Sequence, residues 1–206
     1  MQIYSQRKDE IKKRLEEFRL VFENPGERIF VELAFCLCTP QSKATVCWNA
    51  VSSLAEKNLL MRGSEDQVRP FLNAVRFGEK KASYIINARE LFTENSQLQI
   101  KNKLKSFGNS QEAREWLVEN VKGLGMKEAS HFLRNIGIGS DLAILDVHIL
   151  KNLQKYRVIE EIPKSLTPKK YLEIEAGMKR FSKRIGIGFD ELDLLLWSKE
   201  TGMVFK

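Results

Sequence analysis

The sequence predicts an all-α protein of two helical lobes, and three observations carry that prediction. Apolar residues recur at three- and four-residue spacing through most of the 206 residues, which gives a helix one face to bury. No stretch of any length alternates apolar and polar residues as a half-buried strand does. Helix start and stop signals punctuate the periodic segments, among them Ser64 with Gln67, Thr167-Pro168, Gly186 and Gly202.

The elements follow in order. Ile11, Leu15, Phe18 and Phe22 place an amphipathic helix over 3–23, which "ENPGE" breaks. "RIFVELAFCLC" (28–38) is apolar nearly all round, the pattern of a central buried helix. "TPQSK" is a loop, and 43–56 is helical again. Ser64 and Gln67 have capping-box spacing and start another helix. Within 79–94, Ala82, Ile85, Ile86, Ala88 and Leu91 form a broad stripe. A short helix is expected over 97–106, then one over 111–121 capped by Ser110. Thr167 caps a helix with Pro168 at its first position, and the stripe Tyr171, Ile174, Met178, Phe181, Ile185 carries it to Gly186. Asp190 is expected to cap the last helix, "ELDLLLWSKET", which Gly202 closes. "IGIGSD" (136–141) echoes "IGIGFD" (185–190), and both read as glycine C-caps leading into a turn rather than as a repeat. No linker rich in Pro, Gly or Ser divides the chain, so the lobes need not be sequential. The expected division is a central lobe over 25–135 and a second lobe of 1–24 plus 136–206, with a groove between.

Hydrophobic residues make up 43% of the chain and charged residues 30%, the balance of a soluble globular protein. No apolar run approaches the roughly 20 residues that span a membrane. "MQIYSQRKDEIKKRLEEF" has no apolar export core. A cytoplasmic location with no membrane partner is therefore expected. Cys36, Cys38 and Cys47 are odd in number and sit in apolar stretches, which reads as buried, reduced thiols. Three thiols cannot supply the four ligands of an ordinary iron–sulfur cluster, and "CLC" lacks a further His or Cys at useful metal spacing. The net charge of +7 permits a polyanionic partner, most simply nucleic acid.

Chemistry concentrates in 121–150, "VKGLGMKEASHFLRNIGIGSDLAILDVHIL". A helix ending near Val121, a Gly-Leu-Gly turn and a helix starting at Met126 or Lys127 make a helix-hairpin-helix. Gly123 and Gly125 allow positive φ and leave backbone N–H groups uncovered. The following helix N-terminus and Lys122 add positive charge, so the turn fits a sequence-independent phosphate clamp as well as it fits a plain tight turn. Lys127 falls in the first turn of a helix, where a cation is disfavoured; that suits a nucleophilic lysine, although a surface lysine also fits. Asp146 follows Lys127 by 19 positions in "AILDVHIL". It can cap a helix beginning at Val147, or face a cleft, stabilise positive charge and move a proton. His148 and His131 find no metal or triad partners in the sequence.

These residues are similar to those of the helix-hairpin-helix DNA glycosylase superfamily, in its hairpin, its lysine and its downstream Asp-Val-His. The Lys-to-Asp interval resembles that of the bifunctional glycosylase/lyases, and the resemblance covers most of the chain. "FCLCTPQSKATVCWNAVSSL" falls where the superfamily carries its DNA-inserting loop and next helix, and "VRFGEKKASYIINARELF" resembles the segment that follows. The absent cysteine cluster argues against the endonuclease III branch. The small size and the closing "WSKETGMVFK" resemble the archaeal-type 8-oxoguanine DNA glycosylases, whose chains end in lysine.

The resemblance implies duplex DNA containing 8-oxoguanine as the partner, no cofactor, no catalytic metal and no protein partner, in an intracellular, chromosome-associated protein. It implies that the damaged nucleotide is turned out of the duplex. Lys127 then attacks C1′, Asp146 stabilises the developing positive charge and helps proton transfer, and a Schiff base leads to strand cleavage. Gly123, Gly125, Lys122 and His148 are expected at phosphate, and Gln41 in the space left by the extruded base. In relatives, carbonyls matching Glu119, Val121 and Leu124 can hold a monovalent cation between hairpin and phosphate. A backbone carbonyl near Pro25, at the lobe junction, is the expected acceptor for N7–H of the oxidised base, Trp197 its stacking platform, and Lys206 the branch's base-recognition element. His131, one turn past Lys127, is expected to face the same pocket. Two alternatives remain open: a glycosylase/lyase for another oxidised base, and a non-catalytic module that only binds DNA.

Overall fold

The computed structural model describes residues 2–206. Twelve α-helices, one 3-10 turn and one small β-hairpin make up the regular structure among the described residues. Helix α1 runs Gln2–Glu23 and α2 runs Gly26–Cys38. Helix α3 covers Ala44–Glu56, and short helices α4 (Leu59–Arg62) and α5 (Glu65–Val68) lead into a 3-10 turn at Arg69–Leu72. The Ser64 hydroxyl accepts the Gln67 amide while the Gln67 side chain accepts the Ser64 amide, so the capping box forms as the spacing predicts.

The segment after α6 (Gly78–Leu91) departs from the prediction. A helix was expected to reach 94 and another to begin at 97. Instead Thr93–Glu94 (β1) pairs antiparallel with Gln97–Leu98 (β2), and α7 covers only Ile100–Lys105. The two-residue turn explains the change. Asn95 and Ser96 both take left-handed backbone, with φ of 48° and 62°, the geometry that joins twisted strands.

Helix α8 is Ser110–Asn120, and its cap is one residue earlier than expected. Asn109 Oδ1 accepts the Glu112 amide at 2.9 Å, while the Ser110 hydroxyl donates to Asp141 Oδ1 at 2.6 Å. Asparagine is at least as good a cap as serine, and Ser110 is freed for a tertiary bond. Helix α9 (Met126–Asn135) ends in a glycine turn: Gly137, at φ 80°, donates to the Arg134 carbonyl and Ile138 to that of Leu133. Helices α10 (Val147–Lys155), α11 (Pro168–Ile185) and α12 (Phe189–Thr201) follow. Thr167 caps α11 and Gly186 ends it, as predicted. Helix α12 starts before Asp190, with Gly188 at the N-cap; Asp190 accepts the Glu191 amide at 2.9 Å and places an acid in the first turn.

The buried apolar residues form two clusters. One is built on α2, whose Ile29, Phe30, Leu33, Phe35 and Leu37 are fully buried, and takes residues from Val21 to Leu142. The other joins Ile11, Leu15 and Phe18 of α1 to residues between Ala143 and Val204. Helix α1 packs along α12, and α9 lies against both α2 and α8. Cys36, Cys38 and Cys47 are free and buried in the first cluster, as their apolar surroundings predict. No helix among the described residues is long and apolar enough to cross a membrane.

Candidate active site

The hairpin between α8 and α9 is fixed by one backbone requirement. Gly123 sits at φ 96°, and a Cβ there would come within 2.4 Å of the Tyr84 ring. Only glycine meets both conditions. Gly125 differs from the expectation: it is extended at φ −100°, ψ −177°, and serves as the N-cap of α9. A Cβ at Gly125 would approach Glu128 Oε2 at 3.1 Å. Lys122 and Gly123 are exposed, so the turn presents a cation and open backbone to solvent. The Val121 carbonyl accepts the Leu124 amide at 3.1 Å. Among the described residues no group of three or more His, Cys, Asp or Glu could hold a metal ion.

Starting α9 at Met126 puts Lys127 in its first turn. The side chain is 25% exposed, and its Nζ lies 3.0 Å from Glu128 Oε1. Asp146 is the N-cap of α10, its Oδ1 accepting the Ile149 amide at 2.8 Å. The cap uses one carboxylate oxygen and fixes the direction of the other. Lys127 and Asp146 line one cavity of about 870 Å³, within the size range of ligand pockets.

The approach to Asp146 is held from two sides. Glu175 of α11 accepts the Ala143 amide at 2.7 Å. Tyr171, one helical turn earlier, donates its hydroxyl to the Ala143 carbonyl at 2.6 Å and accepts the Leu145 amide at 3.3 Å. Glu175 is in turn gripped by Arg114 of α8, at 2.7 and 3.2 Å, and that guanidinium is fully buried. One polar network therefore ties the hairpin's first helix to the strand-like segment that delivers Asp146.

The same cavity collects His131, His148, Trp197, Gln41 and Lys206. His131 faces it as predicted and packs edge to face on Phe35, centroids 5.5 Å apart. Burial, then the nearby Arg134, holds the His131 imidazole well below its usual range. Trp197 is half-buried, and Gln41 is an exposed loop residue at φ 56°. Lys206 is buried on the cavity wall: its ammonium pairs with Glu32 of α2 and lies 3.7 Å from the Trp48 ring centre. Burial lowers the Lys206 pKa, and Glu32 opposes that pull. Glu32, fully buried, also accepts from Arg28 at 2.8 Å and from Asn135 at 3.2 Å. Pro25 is not brought to this cavity. It is the N-cap of α2, and its carbonyl accepts the amides of Arg28 and Ile29.

Sequence reasoning passed over several residues of the cavity. Arg134 and Asp193 line it as a buried pair, 3.7 Å apart. Burial pushes the Asp193 carboxyl up to about 7 against the pull of Arg134. Glu32 is a lone acid inside the apolar run "RIFVELAFCLC", and that pattern could have marked it; Asp193 stands among Asp190 and Glu191 and is not so marked. Arg134 and Arg114 carry no such signal.

An all-α chain with two apolar clusters, a glycine hairpin, and a lysine and an aspartate from successive helices in one cavity has the architecture of a helix-hairpin-helix DNA glycosylase. The family model described as 8-oxoguanine DNA glycosylase matches residues 11–187. A Fusobacterium nucleatum 8-oxoguanine DNA glycosylase/AP lyase is 45% identical over 205 residues, 99% of this chain and 94% of the relative. The Methanocaldococcus jannaschii 8-oxoguanine glycosylase/lyase, solved with a 15mer DNA containing 8-oxoguanine, superposes with a TM-score of 0.88 at 38% identity, covering 97% of this chain and 93% of that one. The 8-oxoguanine DNA glycosylase of Thermotoga maritima superposes with a TM-score of 0.86 at 33% identity, covering 100% and 95%. The chain belongs to the 8-oxoguanine DNA glycosylase family.

Proposed function

We infer that this protein is a bifunctional DNA glycosylase and AP lyase that removes 8-oxoguanine from double-stranded DNA and then cleaves the strand at the resulting site. Its substrate places it with the chromosome, inside the cell. The observation that carries the residue assignment is the shared cavity: Lys127 and Asp146, from the starts of α9 and α10, face one space large enough for an extruded base.

The sugar carbon is shielded inside a stacked duplex, so the lesion must be turned out first. The hairpin amides at Gly123 and Gly125, with Lys122 and His148, hold phosphate. A monovalent cation on the carbonyls of Glu119, Val121 and Leu124 would add to that contact. Gln41 enters the space the base leaves. Lys127, as the free amine, attacks C1′ and forms a C–N bond while the glycosidic bond breaks and its electron pair leaves with the base. Asp146 stabilises the positive charge that spreads over the sugar in this step and takes the proton from the attacking nitrogen. Ring opening gives a Schiff base on Lys127. Loss of a C2′ proton then expels the 3′ phosphate and nicks the strand.

Trp197 stacks on the base, and Lys206, held by Glu32, contacts its edge. Pro25 was the expected acceptor for N7–H, but its carbonyl is engaged by α2, so this contact needs the helix N-terminus to give up a bond. Two lobes, 25–135 and 1–24 plus 136–206, would close on the DNA; the two apolar clusters support such a division, although the first also takes in Val21, Ile136 and Leu142.

Borohydride trapping on a duplex with one 8-oxoguanine opposite cytosine tests the assignment. Wild type should give a covalent adduct, and Lys127→Gln none while still binding the duplex. An adduct of wild-type yield with Lys127→Gln would move the nucleophile elsewhere. An adduct only on an oxidised-pyrimidine duplex would change the substrate.

A further inference from the structure

Lys81 lies in the first turn of α6, outside the cavity, and is 4% exposed. Burying an ammonium is unfavourable unless its donors are all used. Here they are. Nζ donates to the Cys38 carbonyl at 2.7 Å, to the Pro40 carbonyl at 2.7 Å and to the Ser42 hydroxyl oxygen at 3.2 Å. All three acceptors are uncharged, and all belong to the end of α2 and the loop after it. Ser42 Oγ also accepts the Arg76 amide at 3.0 Å, from a second loop.

Each of these two loops carries a non-glycine residue in left-handed backbone. Gln41 is at φ 56° and Phe77 at φ 60°. Such conformations persist only where the surroundings over-determine them. Both side chains are exposed, Phe77 at 52%, with the Arg76 guanidinium 5.0 Å from its ring centre. One ammonium thus ties together two strained, outward-facing loop tips, one of them at the mouth of the cavity.

We propose that Lys81 is a positioning residue for lesion extrusion: its three hydrogen bonds hold the Gln41 loop in the shape that replaces the damaged nucleotide in the duplex. This rests on the glycosylase reading and on the role given there to Gln41. A capped helix end alone would not need an ammonium, because water or a hydroxyl can satisfy α2's last carbonyls. Reaching two carbonyls and a hydroxyl across the loop needs a long side chain with three donors.

Two substrates separate positioning from stability. The first is a duplex with 8-oxoguanine opposite cytosine, with 2-aminopurine beside the lesion to report unstacking. The second is a single-stranded oligonucleotide with a preformed abasic site, which needs Lys127 but no extrusion. Lys81→Met should slow duplex excision and the fluorescence rise roughly 10- to 100-fold, while borohydride trapping on the abasic strand stays within about twofold. Lys81→Arg, which keeps the donors, should recover most of the duplex rate. Gln41→Ala should fall in the same step, and little further loss should appear when it is combined with Lys81→Met. Equal slowing on both substrates, or none on either, overturns the proposal, as does a Gln41→Ala enzyme with an unchanged duplex rate. If Lys81→Met does not fold, Ser42→Ala removes one of the three bonds, and an unchanged ratio of the two rates overturns the proposal. Wild type that traps on neither substrate overturns the glycosylase reading and this proposal together; wild type that traps on both, beside a silent Lys81→Met, overturns this proposal alone.

Discussion

The hairpin and the wall of the cavity meet at Lys127 but are built by different physics. The hairpin is local. Gly123, the N-cap at Gly125 and the helix start at Met126 lie within four residues and are set by backbone rules. The wall is assembled from afar: Lys206 meets Glu32 across 174 residues, and Arg114 meets Glu175 across 61. Phosphate is recognised by shape and backbone amides, which a short motif can provide. A base is recognised by side chains in a desolvated space, which a fold must bring together. The two regions therefore differ in how they fail when altered.

The largest effect is expected where the long-range construction is cut. Among the described residues, Arg114→Met leaves Glu175 buried with only Lys179, 3.9 Å away, as a cation. Urea unfolding should show a loss of about 3–5 kcal/mol, the range for removing one partner of a buried pair. Activity should fall as well, because Glu175 holds the Ala143 amide ahead of Asp146. A loss under about 1 kcal/mol would mean that the network contributes little beyond what solvent would supply.

The local region should respond less. Gly123→Ala puts a Cβ against the Tyr84 ring in left-handed backbone. It should destabilise by about 1–3 kcal/mol. With the turn displaced and Lys122 shifted from the phosphate proposed for it, binding to undamaged duplex should weaken with a shallower dependence on salt. Unchanged salt dependence would remove the hairpin from the phosphate contact and leave it as a turn.

This contrast also sets what the sequence could reveal. Helix stripes, the capping box at Ser64, the cap at Asp146 and the glycine hairpin are rules of neighbours, and they were legible. That Lys127 and Asp146 line one cavity was expected from the family resemblance and not from local rules. The hairpin at 93–98 was missed because two-residue strands carry no periodicity. The caps at 109 and 188 were missed by one or two residues because a second good capping residue, Ser110 or Asp190, stands next to each or two positions on. Pro25 was expected at the base, yet its carbonyl serves α2. Glu32, Arg134 and Asp193 belong to pairings that only the folded chain makes, and a lone acid in an apolar run was the sole trace of Glu32.

One cavity joins Lys127, the proposed nucleophile placed by a local motif, to a wall assembled from distant parts of the chain. The measurement that tests it most directly compares two activities of Lys206→Met: excision of 8-oxoguanine from duplex, and borohydride trapping at a preformed abasic site. Excision should be lost and trapping retained, whereas Lys127→Gln should lose both. If Lys206→Met keeps excision, the wall does not recognise the base; if it loses trapping as well, the two regions are not separable and the claim is wrong.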